Sequence, residues 1–200
     1  MTTLIFFGTI VALFIFVVRG LMQAFQGKNI VSTSKSLVII VISYSLLWSI
    51  FYGISSDKVV PFGTDICFDD WCATVLKFER PKTLGKGNQL RYPNGQFIIL
   101  KIKMSNHARG IAQKPSEPRV HLEDPKGNSY SFSTEGQLAL EKQNGKQIPI
   151  DERLELHQSL ETQLVFDIPK EAKNVKVVID EGPFITKLLW KEDREVFVIL

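Results

Sequence analysis

Acidic side chains are missing from the first 56 residues of this 200-residue chain, because all 21 Asp and Glu lie from Asp57 onward. Met1–Val18 and Ser36–Ser56 carry no charge of either sign. Such stretches exclude a surface helix packed on one side only, which would show a polar stripe. Cysteine and histidine are scarce: Cys67 and Cys72 are the two cysteines, and His107, His121 and His157 the three histidines. No two histidines stand at ligand spacing on one element, which argues against a zinc site. A nucleophile elbow of the G-x-S-x-G type, a phosphate-cradling glycine loop and an H-E-x-x-H helix are also missing. The sequence therefore carries no signature of the chemistries that need them.

What the N-terminal part does contain is apolar length. At about 1.5 Å per residue, Ser36–Ser56 spans roughly 31 Å as a helix and Met1–Val18 roughly 27 Å, against a hydrocarbon core of about 30 Å. Ser43, Ser45 and Ser49 interrupt the second run, and their hydroxyls can bond back to the helix or face a partner helix. Between the runs stand Arg19, Lys28 and Lys35 with no acid to balance them. The positive-inside bias makes that segment cytoplasmic. The expected organisation is a transmembrane helix over 1–18, a basic cytoplasmic loop over 19–35, a second transmembrane helix over 36–56 and an extracytoplasmic domain over 57–200. The N-terminus is then also outside, the location is the cytoplasmic membrane, and the lipid bilayer is the first expected partner. A cleaved signal peptide fits less well, since Met-Thr-Thr lacks positive charge and no small-x-small site follows Val18.

Three of the 24 Lys and Arg belong to the loop, so Asp57–Leu200 holds 21 basic against 21 acidic residues and is formally neutral. The sequence pI near 8.8 is therefore an orientation signal. Nucleic-acid recognition needs clustered basic charge, whereas here the signs alternate, so no nucleic-acid partner is expected.

Cys67 and Cys72 can meet across a tight turn through Phe68-Asp69-Asp70-Trp71, and an oxidising compartment permits the bond. So small a ring would stabilise by about 2 kcal/mol on the chain-entropy relation. Spacing does not reveal Cβ geometry, and two free thiols or a metal or redox pair stay open.

After Ser56 the apolar period becomes two. Ile98, Leu100, Ile102 and Met104 fall on one face with Lys101 and Lys103 opposite, and Leu160, Leu164, Phe166 and Ile168 repeat the pattern. Further candidates are Cys72–Phe78, Arg119–Glu123, Asn174–Ile179 and Glu195–Ile199. Pro93-Asn94-Gly95, the segment Asp124–Asn128 and Asn144-Gly145 read as turns. About seven short strands with no convincing long helix predict an antiparallel β-sandwich, all-β and preceded by the two transmembrane α-helices. The period of Gln137–Lys142 fits either a helical turn or a strand.

Three segments carry a resemblance: GQFIILKIKMSN from Gly95 to Asn106, VHLEDPKGNSY from Val120 to Tyr130, and LVFDIP from Leu164 to Pro169. Together they resemble a bacterial family of telokin-like, immunoglobulin-like domains over roughly residues 58–180. That family combines a Gly-x-Phe strand ending in Asn, an Asp-x-x-Gly-x-x-Tyr hairpin and a late Val-Phe-Asp strand followed by Pro. The resemblance implies an immunoglobulin-like sandwich outside the cytoplasm and no particular reaction. This chain departs from the lipoprotein members in having no lipobox cysteine.

Candidate chemistry is sparse. Asp65, Asp69 and Asp70 put three carboxylates beside Trp71, but a calcium loop needs more oxygens at fixed spacing and acid–base catalysis needs a cleft. A solvated turn closing the cysteine ring is the expected reading. His121 alternates with Val120 and Leu122 and is expected to face solvent or a partner. His107, Arg109 and Arg119, with Lys114, form a modest basic stretch suited to a partner surface. Two helices before a β-sandwich is also the layout of cytochrome oxidase subunit II. That family's copper centre, however, uses cysteines in a late loop followed by a methionine, and here no methionine follows Met104.

The expected function is a membrane-anchored extracytoplasmic module for protein binding or scaffolding, with no cofactor and no catalysis. One alternative is an extracytoplasmic redox or metal-dependent enzyme using Cys67/Cys72 or the Asp65–Asp70 cluster. Another is an accessory subunit of a larger complex, whose partner is a membrane or envelope protein.

Overall fold

The computed structural model describes residues 2–27, 31–54, 57–68, 70–182 and 194–199. Lys28 and Asp69 lie outside the described residues. The chain divides into two compact units, a helical one within Met1–Ser56 and a β unit formed from Asp57–Pro183 and Arg194–Leu200.

Two helices make up the first, α1 (Thr2–Phe25) and α2 (Val31–Ile54). Both run beyond the uncharged stretches, so Arg19 and Lys35 are helical rather than in a loop. Arg and Lys are good helix formers, and α1 breaks only near Gly27, whose φ of 64° suits glycine and whose N–H reaches Ala24 O at 3.1 Å. Phe7–Phe25 is long and apolar enough to cross a membrane by length and composition. The apolar part of α2 among the described residues, Leu37–Ile50, is shorter. Ser45 and Ser49 donate to the carbonyls four residues back, Val41 O at 2.9 Å and Ser45 O at 2.8 Å. These hydroxyls are thus satisfied within the helix.

The β unit is a two-sheet sandwich. One sheet has the order β1 (Asp57–Val59), β9 (Arg194–Ile199), β8 (Val175–Asp180), β5 (Arg119–Glu123), β6 (Ser129–Tyr130). The other runs β2 (Asp65–Phe68), β3 (Trp71–Glu79), β4 (Gln96–Asn106), β7 (Ser159–Ile168). Ile98, Leu100, Ile102 and Met104 of β4 meet Phe166 and Ile168 of β7, Leu122 of β5, Val177 of β8 and Phe197 of β9 in one buried core. Alternation along each strand sends one apolar set inward from both sheets, and full burial stabilises by roughly 1.5–3 kcal/mol per large side chain.

Three features differ from expectation. The sandwich is not wholly antiparallel, because β1 runs parallel to β9 with Asp57 opposite Arg194. Charge fastens this edge: Lys176 Nζ donates to Asp57 Oδ2 at 2.6 Å, and Lys58 reaches Glu195 Oε1 at 3.0 Å. The partners lie more than a hundred residues apart, so no local period announces them. Second, Gln137–Lys142 belongs to a full helix, α3 (Thr134–Asn144). Ser133 caps its start by accepting Gly136 N–H at 3.1 Å, and Gly145, at φ 91°, receives the chain at its end.

Third, α3 gives the second sheet a covered outer face. Ala139 and Leu140 lie on Phe97, Ile99 and Val165, making a second small core. Phe97 and Ile99 are therefore buried on the face opposite Ile98 and Leu100, and the strand is apolar on both sides near its start. The contact is close at Gly136, where a Cβ would stand 2.7 Å from Val165 Cγ1.

Candidate functional site

The motif residues of the resemblance prove to be architectural. Asp124, at the end of β5, accepts the N–H groups of Lys126 and Asn128 at 2.9 and 3.0 Å, the Asn128 amide at 2.8 Å and the Tyr130 hydroxyl at 3.0 Å. The Asn128 side chain does most to hold the carboxyl down to about 2, with the Asn128, Tyr130 and Lys126 donors adding to it and partial burial opposing. Burial, then the hydrogen bond and charge of Asp124, push the Tyr130 phenol up, while Asn128 opposes. Asn106 is buried at the end of β4. Its amide donates to Ile111 O, Leu154 O and Glu155 O at 3.0, 3.1 and 3.2 Å, and its oxygen accepts Ala108 N–H at 2.8 Å. One side chain thus anchors two loops.

Cys67 and Cys72 form a disulfide. They are register partners across the β2–β3 hairpin, with Cα atoms 4.0 Å apart, so the turn length that joins Phe68 to Trp71 sets them face to face. Cys72 is buried and Cys67 exposed. Asp65 does not converge with the turn. It accepts the Thr74 hydroxyl and pairs with Lys103 at 3.6 Å. Asp70 offers its backbone oxygen to His107 N–H at 2.8 Å. No cluster of three His, Cys, Asp or Glu able to hold a metal occurs among the described residues.

The histidines and basic residues are dispersed. His107 exchanges a hydrogen bond with Ser105 Oγ at 3.0 Å. His121 is half-buried rather than free to solvent: its Nε2 lies 3.2 Å from Glu123 and its Nδ1 3.7 Å from Asp180. His157 occupies an exposed turn at φ 57°. Arg119 donates to Gly182 O at 2.6 Å and lies 3.7 Å from Glu117. No hydrogen bond or ion pair among the described residues joins His107, Arg109 and Arg119.

What no sequence motif marked is a cavity of about 570 Å³ in the β unit. It lies where the edge of β5 on one sheet approaches the edge of β7 on the other, closed from the side by α3 and the segment 146–151. Val120, Ile148, Ile150 and Leu164 supply its apolar floor, and Phe132 stands exposed at its rim. Among the lining charges, Asp151 pairs with Lys114 at 3.5 Å and Glu141 accepts Gln147 N–H at 3.4 Å. Lys146 is exposed and has no partner among the described residues. A recess whose surface is mainly apolar, with polar side chains set around it, has the composition of a binding site.

The β7 wall of this cavity is sealed. The Gln137 carboxamide donates to Gln163 O at 2.9 Å and accepts Val165 N–H at 3.0 Å, as a neighbouring strand would. Gln147 Oε1 accepts Gln163 N–H at 3.1 Å, and Ser133 N–H reaches Val165 O at 2.7 Å. Every outward peptide group of Gln163 and Val165 is thereby occupied, which blunts the edge.

No protein-family model matches the sequence, and no curated protein matches it. Several solved structures are similar in shape. The yjhA protein from Bacillus subtilis is 15% identical with a TM-score of 0.47, covering 74% of this chain and 100% of that one. The secreted protein MPT63 from Mycobacterium tuberculosis is 10% identical with a TM-score of 0.47, covering 72% and 98%. An uncharacterized beta-sandwich protein from Clostridium difficile 630 is 16% identical with a TM-score of 0.45, covering 73% and 96%.

Proposed function

We propose that the chain is a membrane-anchored extracytoplasmic module whose β-sandwich binds a protein partner in the cavity beside β5 and β7. The carrying observation is the cavity itself, a mainly apolar recess bordered by Phe132 and the unpaired Lys146. Apolar surface left open in this way is stabilised by a partner that covers it.

Anchoring rests on α1 and on α2, which carries no charged residue from Ser36 to Ile54. With Arg19, Lys28 and Lys35 retained in the cytoplasm, both termini are outside. The Cys67–Cys72 bond suits an oxidising compartment.

Two measurements test this reading. A reporter fused after Leu200 is expected to work only outside the cytoplasm, and cytoplasmic activity would overturn the orientation. A photo-crosslinker replacing Phe132 in the membrane-embedded chain is expected to capture a defined protein, while one replacing Lys77 on the exposed face of β3 is not. Equal capture at both positions, or none at Phe132, would remove the cavity as the binding surface.

A further inference from the structure

The two strand edges beside the cavity are finished differently. Edge β7 is closed group by group, as described above. Edge β5 is not. Its partner β6 has two residues, which pair with Leu122 and Glu123 alone, while Arg119–His121 carry β8 on one side and the cavity on the other. The chain then leaves the sheet, and Phe132 bridges to Phe166 of β7.

The register tells which peptide groups are left over. Asp124 N–H bonds to Asn128 O at 3.0 Å, and Leu122 is opposite Tyr130. In an antiparallel ladder alternate residues turn their N–H and C=O to the same neighbour. Val120 therefore presents both groups toward the edge that Asp124 and Leu122 use. Phe132, two residues beyond Tyr130, would be its partner if β6 continued. Among the described residues nothing bonds to Val120 from that side. Yet Val120 is more than nine-tenths buried. A peptide N–H and C=O that face a recess without protein partners leave one rung of the ladder unmade, so the site favours an occupant that supplies both.

We infer that the cavity receives an extended segment of a partner polypeptide, which adds to β5 as the missing continuation of β6. This rests on the reading of the cavity as a protein-binding surface and names the form of its ligand. The segment bonds to the Val120 N–H and C=O and lays alternate apolar side chains on Ile148, Ile150 and Leu164. Strand addition of this kind takes affinity from main-chain bonds and specificity from alternate side-chain pockets. Pro118 offers no N–H, so the Val120 rung is the last on β5 with both a donor and an acceptor, and the added strand is short. Lys146, unpaired at the rim, favours an acidic residue in the segment.

The test selects peptides from a random 12-residue display library on the full chain held in lipid nanodiscs. Peptides that compete for a cavity fluorophore at position 132 are expected to share alternating apolar residues with at least one acid. Binding is expected to slow Val120 amide exchange at least tenfold. N-methylation of the one peptide residue opposite Val120 is expected to weaken binding at least tenfold, and Lys146→Glu to weaken it several-fold with the fold intact. Peptides that bind in the cavity but ignore N-methylation and leave Val120 unprotected overturn the strand inference alone. A library that yields no binder to the cavity overturns both this inference and the proposed function.

Discussion

Both carboxylate oxygens of Asp167 are spent on the turn before β4: Oδ2 accepts Asn94 N–H at 2.7 Å and Oδ1 accepts Gly95 N–H at 3.0 Å. Gly95 is required at that contact, because a Cβ there would fall 2.0 Å from Ile168 O, a backbone atom of the strand carrying Asp167. Losing two charge-assisted bonds at a half-buried site costs about 2 kcal/mol. Asp167→Ala is expected to lower unfolding free energy by that amount, and Gly95→Ala by more, about 3 kcal/mol through backbone displacement. Denaturant midpoints of the two variants measure the order, and Gly95→Ala matching the parent would refute the close approach.

Asn106→Ala removes two N–H donors that reach three carbonyls, and one acceptor, from a buried position and leaves Leu154 O without the amide it now accepts. The expected loss is about 3 kcal/mol. Proteolysis within residues 107–118, which the side chain holds at Ala108 and Ile111, is expected to rise in parallel. A variant as stable and as resistant as the parent would show that the Gln113–Leu154 bridge suffices alone.

Asp124 links stability to acid. Its carboxyl is held at about 2, below the ordinary aspartate value of about 3.9 in an unfolded chain. The folded form then binds its proton later than the unfolded form, so the contribution is fully present above about pH 4 and fades as pH falls toward 2. Asp124→Asn is expected to be less stable than the parent at neutral pH and to lose less between pH 4 and pH 2. Parallel curves for the two proteins across that window would sink the assignment.

Breaking the hairpin disulfide tests the contribution of a small ring. Cys67→Ser/Cys72→Ser is expected to lose about 2 kcal/mol. Peptide mapping of the parent without reductant should find the two cysteines in one linked fragment, and separate fragments would exclude the bond.

Gln137→Ala should uncover the edge of β7, because Gln163 O and Val165 N–H lose the carboxamide that covers both. The expected result is a loss of about 1–3 kcal/mol and faster concentration-dependent association through the opened edge. Light scattering at matched stability separates the two effects.

Much of the sandwich was legible in the sequence because its signals are local. Alternation in Phe97–Met104 and Ser159–Ile168 depends on neighbours two residues apart, and both segments are strands that send the expected set inward. The turns at Asn94 and Asp124 depend on four or five residues, whereas Asn144-Gly145, read as a turn, is the end of helix α3. Helix α3 was half legible: Ser133 and Gly145 are ordinary end signals, but the apolar set of Gln137–Lys142 is too short to separate helix from strand. The cavity was not legible. Its floor combines Val120, Ile150 and Leu164, three residues that no shared period relates.

The sequence by itself determined the uncharged lengths at the N-terminus, the placement of every acid after Ile54, and the inward faces of the long strands. Each follows from side-chain chemistry repeated along the chain. The tertiary structure alone decided that Asp57, the first of those acids, meets Lys176, and that β1 runs parallel to β9. It alone decided that the β7 edge is closed by Gln137, Gln147 and the Ser133 N–H while the β5 edge stops one rung short. Such outcomes depend on which distant segments come together, and pairing across a hundred residues leaves no period in the sequence.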